Sequence, residues 1–167
     1  KILAGAYVPD SGEILLDGNK VTFTHPQEAH ERGISIIYQE FNLLPDRTVA
    51  QNIYLGREPS KFGLVDSRQM NRMAEEVMRE IGIEGLIAPT AIAGTLSVAE
   101  QQLIEIAKAI SLKSRILIMD EPTAALTINE VRLLDDLILR LKKRDMAIIF
   151  ISHRLGEVFD IADKITV

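Results

Sequence analysis

Arg115-Ile116-Leu117-Ile118-Met119-Asp120-Glu121-Pro122-Thr123-Ala124-Ala125-Leu126 is the stretch on which the fold turns. Ile116 to Met119 is a short apolar run of the kind shown by parallel strands covered on both faces, and it stops on two carboxylates. Two further runs stop in the same abrupt way. Ala147-Ile148-Ile149-Phe150-Ile151 ends on Ser152-His153, and Ile34 to Tyr38 ends on Gln39-Glu40. Ligands of open parallel α/β sheets bind beyond the carboxyl ends of the strands. One edge is therefore expected to collect an amide, two carboxylates and an imidazole.

Helical spacing fills the intervals. Val131, Leu134, Ile138 and Leu141 recur with a helical period between two of the runs, as do Leu103, Ile106, Ala107 and Ile110 after Ser97. Met70, Met73, Val77 and Ile81 mark an amphipathic helix within residues 66–81. Strand, helix, strand implies an α/β layer fold. Nearer the start, Glu13 to Leu16 and Asn19 to Phe23 flank Asp17-Gly18, a hairpin turn signal. Thr24-His25-Pro26-Gln27 offers a helix start with proline in the first turn, and Gly33 closes that helix. Lys1 to Gly5 reads as the tail of a helix stopped by glycine, which predicts that the chain begins inside a larger protein. Residues 42–59 are irregular and are expected to be surface loop.

Composition narrows the classes. A chain of 167 residues with 47% hydrophobic content suits one domain with a sizeable core. With 19 basic against 24 acidic residues the net charge is −5, which gives no electrostatic footprint for nucleic acid. There is no cysteine, and His25, His30 and His153 lack zinc-site spacing, so no structural metal is expected. No apolar run approaches the roughly 18 residues of a membrane span, and nothing in the opening residues suggests export, so no leader is expected. The cytoplasm is the expected compartment.

The acidic pair suits a magnesium nucleotide site, in which one carboxylate holds hydrated Mg²⁺ and its neighbour polarises water. Asp120 is the metal-side candidate and Glu121 the candidate general base. His153 is placed to donate to a transferring phosphate. Taken singly, each residue reads equally well as a strand-end turn or a cap; their combination and order carry the inference.

Residues 115–126 look like the Walker B strand and D-loop of ATP-binding cassette (ABC) ATPases. Leu96-Ser97-Val98-Ala99-Glu100-Gln101-Gln102 stands where that family has its signature motif, and Gln39 and His153 fall at its Q-loop and H-loop positions. Tyr7 to Gly12 resembles the family's link into its hairpin, so the likeness spans the chain. The resemblance implies an α/β P-loop NTPase fold: a layered, mainly parallel sheet with an antiparallel N-terminal hairpin and a helical subdomain, truncated at its N-terminus. Residues 1–41 and 113–167 would form the core, and about 42–112 the Q-loop connection and signature subdomain. It further implies ATP and Mg²⁺ as cofactors, Asp120 and Gln39 on the metal, Glu121 as base and His153 as sensor of the γ-phosphate. Ser97, Val98, Ala99 and Glu100 would face ATP held by an opposing cassette. The implied partners are that second cassette, membrane permease subunits and, indirectly, a periplasmic sugar-binding protein, with no nucleic acid. The implied location is cytoplasmic, peripheral on the inner face of a bacterial membrane.

There are departures from the family pattern. Val98 and Ala99 replace signature glycines, Glu100 replaces a glutamine, and Thr127 stands for the D-loop aspartate. Ser97-x-x-Glu100 and Thr127-x-x-Glu130 are also capping boxes, so Ser97 reads either as a cap alone or as a cap that also faces phosphate. No G-x-x-x-x-G-K-[ST] loop occurs in these residues, so they are expected to be inactive by themselves. Thr48 to Pro59, with the altered signature, resembles the first cassette of tandem ATPases of bacterial monosaccharide importers of the ribose, xylose and galactose type. Two other readings share these motifs: an ABC-type ATPase acting on ribosomes or DNA, and a nucleotide-binding module without turnover.

Overall fold

A computed structural model, describing residues 1–40 and 42–166, turns these patterns into an ordered set of elements. They are β1 (Ile14–Leu16), β2 (Asn19–Val21), α1 (Pro26–Glu31), β3 (Ile34–Ile37), α2 (Val49–Ile53), β4 (Ser60–Lys61) and β5 (Leu64–Val65), then α3 (Ser67–Glu80), α4 (Val98–Ser111), β6 (Ile116–Asp120), α5 (Ile128–Lys142), β7 (Ala147–Ile151) and α6 (Leu155–Ile161). A 3₁₀ turn at Ala93–Thr95 precedes α4. None of the described helices is long and apolar enough to cross a membrane.

The three apolar runs form one parallel sheet in the order β3-β6-β7. Ile36 pairs with Ile118, and Ile118 with Ile149. Because side chains alternate along a strand, this register divides the sheet into two faces. Ile37, Leu117 and Met119 point to one, where they join Leu103 and Ile106 of α4 with Leu134, Ile138 and Leu141 of α5 in the main core. Ile34, Ile36, Ile116 and Ile118 point to the other, against Val21 and Phe23 of the hairpin region and Ala29 of α1. β6 lies in the middle and is covered on both faces, as its sequence predicts.

β7 departs from that expectation. Ile149 and Ile151 are 38% and 46% exposed, because the hairpin and α1 layer lies over β3 and β6 and includes no residue of β7. An apolar run reports what a strand can bury, and the layers around it decide what it does bury.

Local signals explain the ends of the elements. Asp17 and Gly18 both take positive φ, 52° and 77°, the twist that a two-residue hairpin turn requires. At α1 the N-cap is His25 with Pro26 first in the helix, while Glu28 reaches back to accept from the Thr24 N–H at 2.7 Å. Lys1 to Ala6 carry the hydrogen bonds of a helix stop: Gly5 N–H to Ile2 O, and Ala6 N–H to Lys1 O. Gly5 has φ +70°, and a Cβ there would come 2.5 Å from the His25 carbonyl oxygen, so this position requires glycine on two counts.

Residues 42–59 contain more order than their sequence suggests. α2 is buried, and Thr48 caps it through a complete capping box with Gln51. Asn52, 0% exposed, accepts from Leu44 N–H at 2.7 Å and donates to the carbonyls of Leu44, Arg47 and Thr48. Five residues are too few to display a helical period, so burial rather than pattern makes this helix.

Candidate functional site

The sheet register gathers the polar strand ends. Asp120 closes β6 opposite Ile151, the last residue of β7. Glu121 follows with φ 48°, a left-handed conformation that costs a non-glycine residue on the order of 1 kcal/mol. Its N–H donates to Ile151 O at 2.9 Å, which ties the turn to the neighbouring strand. His153 lies just past that strand, with Nδ1 3.2 Å from Glu121 Oε1. The imidazole is 65% exposed and the carboxylate 32%, so the pair sits at the surface where a ligand has access. On the other flank Ile37 pairs with Met119. Gln39, two residues further and exposed, therefore leaves the sheet at the same edge.

Of the residues singled out in the sequence, Asp120, Glu121 and His153 meet at this edge, with Gln39 at the adjoining strand end. Ser97 to Glu100 belong to a separate element. Among the described residues no hydrogen bond joins them to the strand-end group.

Sequence reasoning missed a second group behind the first. Glu157, in the first turn of α6, accepts from Thr123 Oγ1 at 2.6 Å and from Ser152 Oγ at 3.3 Å through Oε2. Its Oε1 accepts from Arg154 Nη1 at 3.1 Å. The Ser152 hydroxyl also accepts the Arg154 N–H at 3.0 Å. The only trace in sequence is an acid four residues after His153, which reads as an ordinary first-turn glutamate.

At the start of α4 the capping box forms in both directions. Ser97 N–H donates to Glu100 Oε2 at 2.8 Å, and Glu100 N–H to Ser97 Oγ at 3.3 Å. The N–H groups of Val98 and Ala99, first and second in the helix, have no intrahelical acceptor. Val98 is 38% exposed, whereas Ala99 is buried. The N–H groups and dipole of a helix N-terminus favour an anion.

The donor set bears on metal binding. Among the described residues no group of three or more His, Asp or Glu side chains forms a metal cage. Asp120 and Gln39 offer a carboxylate and an amide oxygen, both hard donors. Mg²⁺ commonly takes one or two such ligands and completes its shell with substrate phosphates and water. The residues present fit a Mg²⁺ that arrives with a phosphate ligand.

The family described as ABC transporter matches residues 1–124. A ribose import ATP-binding protein of Rubrobacter xylanophilus is 52% identical over 167 residues, which is 100% of this chain and 33% of that protein. A ribose import ATP-binding protein of Geobacillus kaustophilus is 46% identical over 169 residues, covering 100% of this chain and 34% of its own length. A Burkholderia ambifaria protein described as a putative ribose/galactose/methyl galactoside import ATP-binding protein is 47% identical, and 32% of it is covered. The chain thus spans about a third of the length of these relatives. Among solved structures, a nucleotide-free ATP-binding cassette from an ABC transporter superposes with a TM-score of 0.82 at 22% identity, over 97% of this chain and 67% of the other. A cassette in its ADP conformation gives 0.78 at 22% identity with the same coverage. At that identity the likeness speaks for the fold alone, the layered α/β fold of ATP-binding cassettes. Because the family match takes in most of its length, and relatives near half identical align along all of it, this chain belongs to the ABC transporter family.

Proposed function

We propose that this chain is part of an ATP-binding and ATP-hydrolysing subunit that energises monosaccharide import through a membrane permease. The observation that carries the reading is the apposition of Glu121 and His153 at 3.2 Å, directly after Asp120 at the carboxyl edge of the sheet. Glu121 takes a proton from the attacking water as general base. His153 is held by Glu121 at Nδ1 and presents its other ring nitrogen to the nucleotide side. Asp120 and Gln39 would hold Mg²⁺. The metal, when bound, neutralises phosphate charge and orients the phosphates. Ser97, Val98, Ala99 and Glu100 present the start of α4 to the phosphates of ATP on an opposing cassette, where the helix dipole and N–H groups favour an anion.

On this reading residues 1–41 and 113–167 form the nucleotide-binding core, and residues 42–112 form the connection and helical subdomain that face the permease. The partners are a second cassette and permease subunits on the cytoplasmic side of the bacterial membrane, served indirectly by a periplasmic sugar-binding protein. The printed descriptions of the relatives, which name ribose and galactose import, support the sugar class. The G-x-x-x-x-G-K-[ST] loop is not among these residues, so residues 1–167 by themselves are inactive.

The test is ATP turnover by the full-length protein with and without Glu121→Gln. Loss of a general base lowers turnover by about 10²-fold or more, while nucleotide affinity stays within about threefold, a binding change under 1 kcal/mol. Turnover that survives the substitution would sink the assignment of Glu121. Mg²⁺-dependent turnover by residues 1–167 alone would sink the claim that they are inactive without the loop.

A further inference from the structure

Glu157 is placed unlike the other first-turn acids of this chain. Glu130, at the start of α5, caps its own helix by accepting from Thr127. Glu157 makes no such local cap, and its side chain is only 14% exposed. Taking a carboxylate out of water costs several kcal/mol unless donors replace the water, and here three donors do so. All three come from the two loops that carry the strand-end pair. Thr123, 1% exposed, lies two residues after Glu121 and donates at 2.6 Å, a short charge-assisted bond. Ser152 and Arg154 are the immediate neighbours of His153, and both donate to Glu157. The Arg154 N–H closes back on the Ser152 hydroxyl, so the backbone on either side of His153 is held by one carboxylate.

We infer that Glu157 is a positioning residue which sets the spacing between Glu121 and His153 by fastening the 121–123 turn to the 152–154 turn. Among the described residues no hydrogen bond joins it to either side chain. Glu121 is attached to β6 and His153 to β7, and beyond the strand ends the ladder bond between them among the described residues is the Glu121 N–H to Ile151 O. The Glu157 carboxylate supplies the link that the ladder does not. The role rests on the proposed assignment of Glu121 and His153 to ATP turnover.

The experiment uses the full-length protein with Mg-ATP, and the variants Glu157→Ala, Thr123→Val and Thr123→Ser. Misplacing a reacting group by about 1 Å costs on the order of 10²-fold in rate. Glu157→Ala and Thr123→Val are therefore expected to lower kcat by about 10- to 100-fold. KM and the dissociation constant for a non-hydrolysable ATP analogue are expected to stay within about twofold, because a positioning role acts on the reacting pair rather than on ground-state binding. Thr123→Ser, which keeps the hydroxyl, restores kcat to within about threefold of the parent, and the double variant of Glu157→Ala with Thr123→Val is no slower than Glu157→Ala alone. The imidazole Hε1 resonance of His153 shifts in Glu157→Ala and Thr123→Val in the same direction as in Glu121→Gln.

The inference is overturned if kcat is unchanged in both variants, or if it falls only in proportion to the folded fraction. It is equally overturned if the His153 resonance stays in place or if serine fails to rescue Thr123. Should Glu157→Ala not fold, the Thr123→Val and Thr123→Ser pair decides alone. Parent-like turnover in Glu121→Gln points instead to failure of the functional reading beneath it, whereas loss in Glu121→Gln with parent-like kcat in Glu157→Ala and Thr123→Val removes only the positioning role.

Discussion

Asp135, on α5, has its Oδ1 buried without a hydrogen-bond partner among the described residues. Burial pushes its pKa above the ordinary aspartate value, and the neighbouring carboxylates of Glu157, Asp160 and Asp136 push it the same way. The native state therefore holds this proton more tightly than the unfolded chain does. Its contribution favours folding in acid and declines as pH rises through the aspartate range toward the raised native value. Asp135→Asn removes the cost carried at neutral pH. The melting temperature at pH 7 should rise by about 1–2 °C after allowance for solvent screening, and the gain should vanish near pH 3, which scanning calorimetry at the two pH values would check. Residues differ in how much of their role can be read in advance. Asp120, Glu121 and His153 follow apolar runs, and position in sequence alone puts them at strand ends. The left-handed turn at Glu121, which aims its carboxylate at His153, has no sequence signature, since φ > 0 here falls on a residue other than glycine. Thr123 and Glu157 are 34 positions apart, and no local pattern relates them.

Among elements, the long helices were legible, as was the short α1 through its Pro26 start and Gly33 stop, whereas α2 and α6 were not. α3, α4 and α5 run for 14, 14 and 15 residues, long enough for apolar spacing to repeat several times, and their caps at Asp66, Ser97 and Thr127 are written as polar residues just ahead of the period. α2 and α6, at five and seven residues, lie below the length at which a helix sustains itself or shows a period, so tertiary packing selects them. Asn52 makes the dependence testable. Its amide is buried and joined to the carbonyls and N–H of the preceding loop. Asn52→Ala orphans those groups and is expected to cost about 2–4 kcal/mol, seen as a lower urea midpoint with an unchanged m-value. Parent-like stability in that variant would mean that the loop holds α2 in place without the amide.

At the scale of the molecule, protection should follow the layers. β6 is paired on both sides and covered on both faces, whereas β7 pairs with β6 on one side among the described residues and leaves Ile149 and Ile151 partly exposed. In residues 1–167, native-state hydrogen exchange is therefore expected to be at least about tenfold slower at β6 amides than at β7 amides, a difference of about 1.4 kcal/mol in opening free energy. Equal protection would show that the two strands open as one unit. The sequence by itself determined that the chain is a layered α/β protein with a parallel sheet and polar strand ends, because periodicity and abrupt changes from apolar to charged residues are local properties. It also determined the family likeness, since the strand-end and signature motifs are contiguous. Only the tertiary structure decided that β6 takes the centre and β7 is left half covered, that a short helix fills residues 49–53, and that one carboxylate on α6 joins the loops of Glu121 and His153. Each of these depends on which distant segments meet, and the energy of such contacts comes from burial and hydrogen bonds between residues that the linear pattern does not bring together.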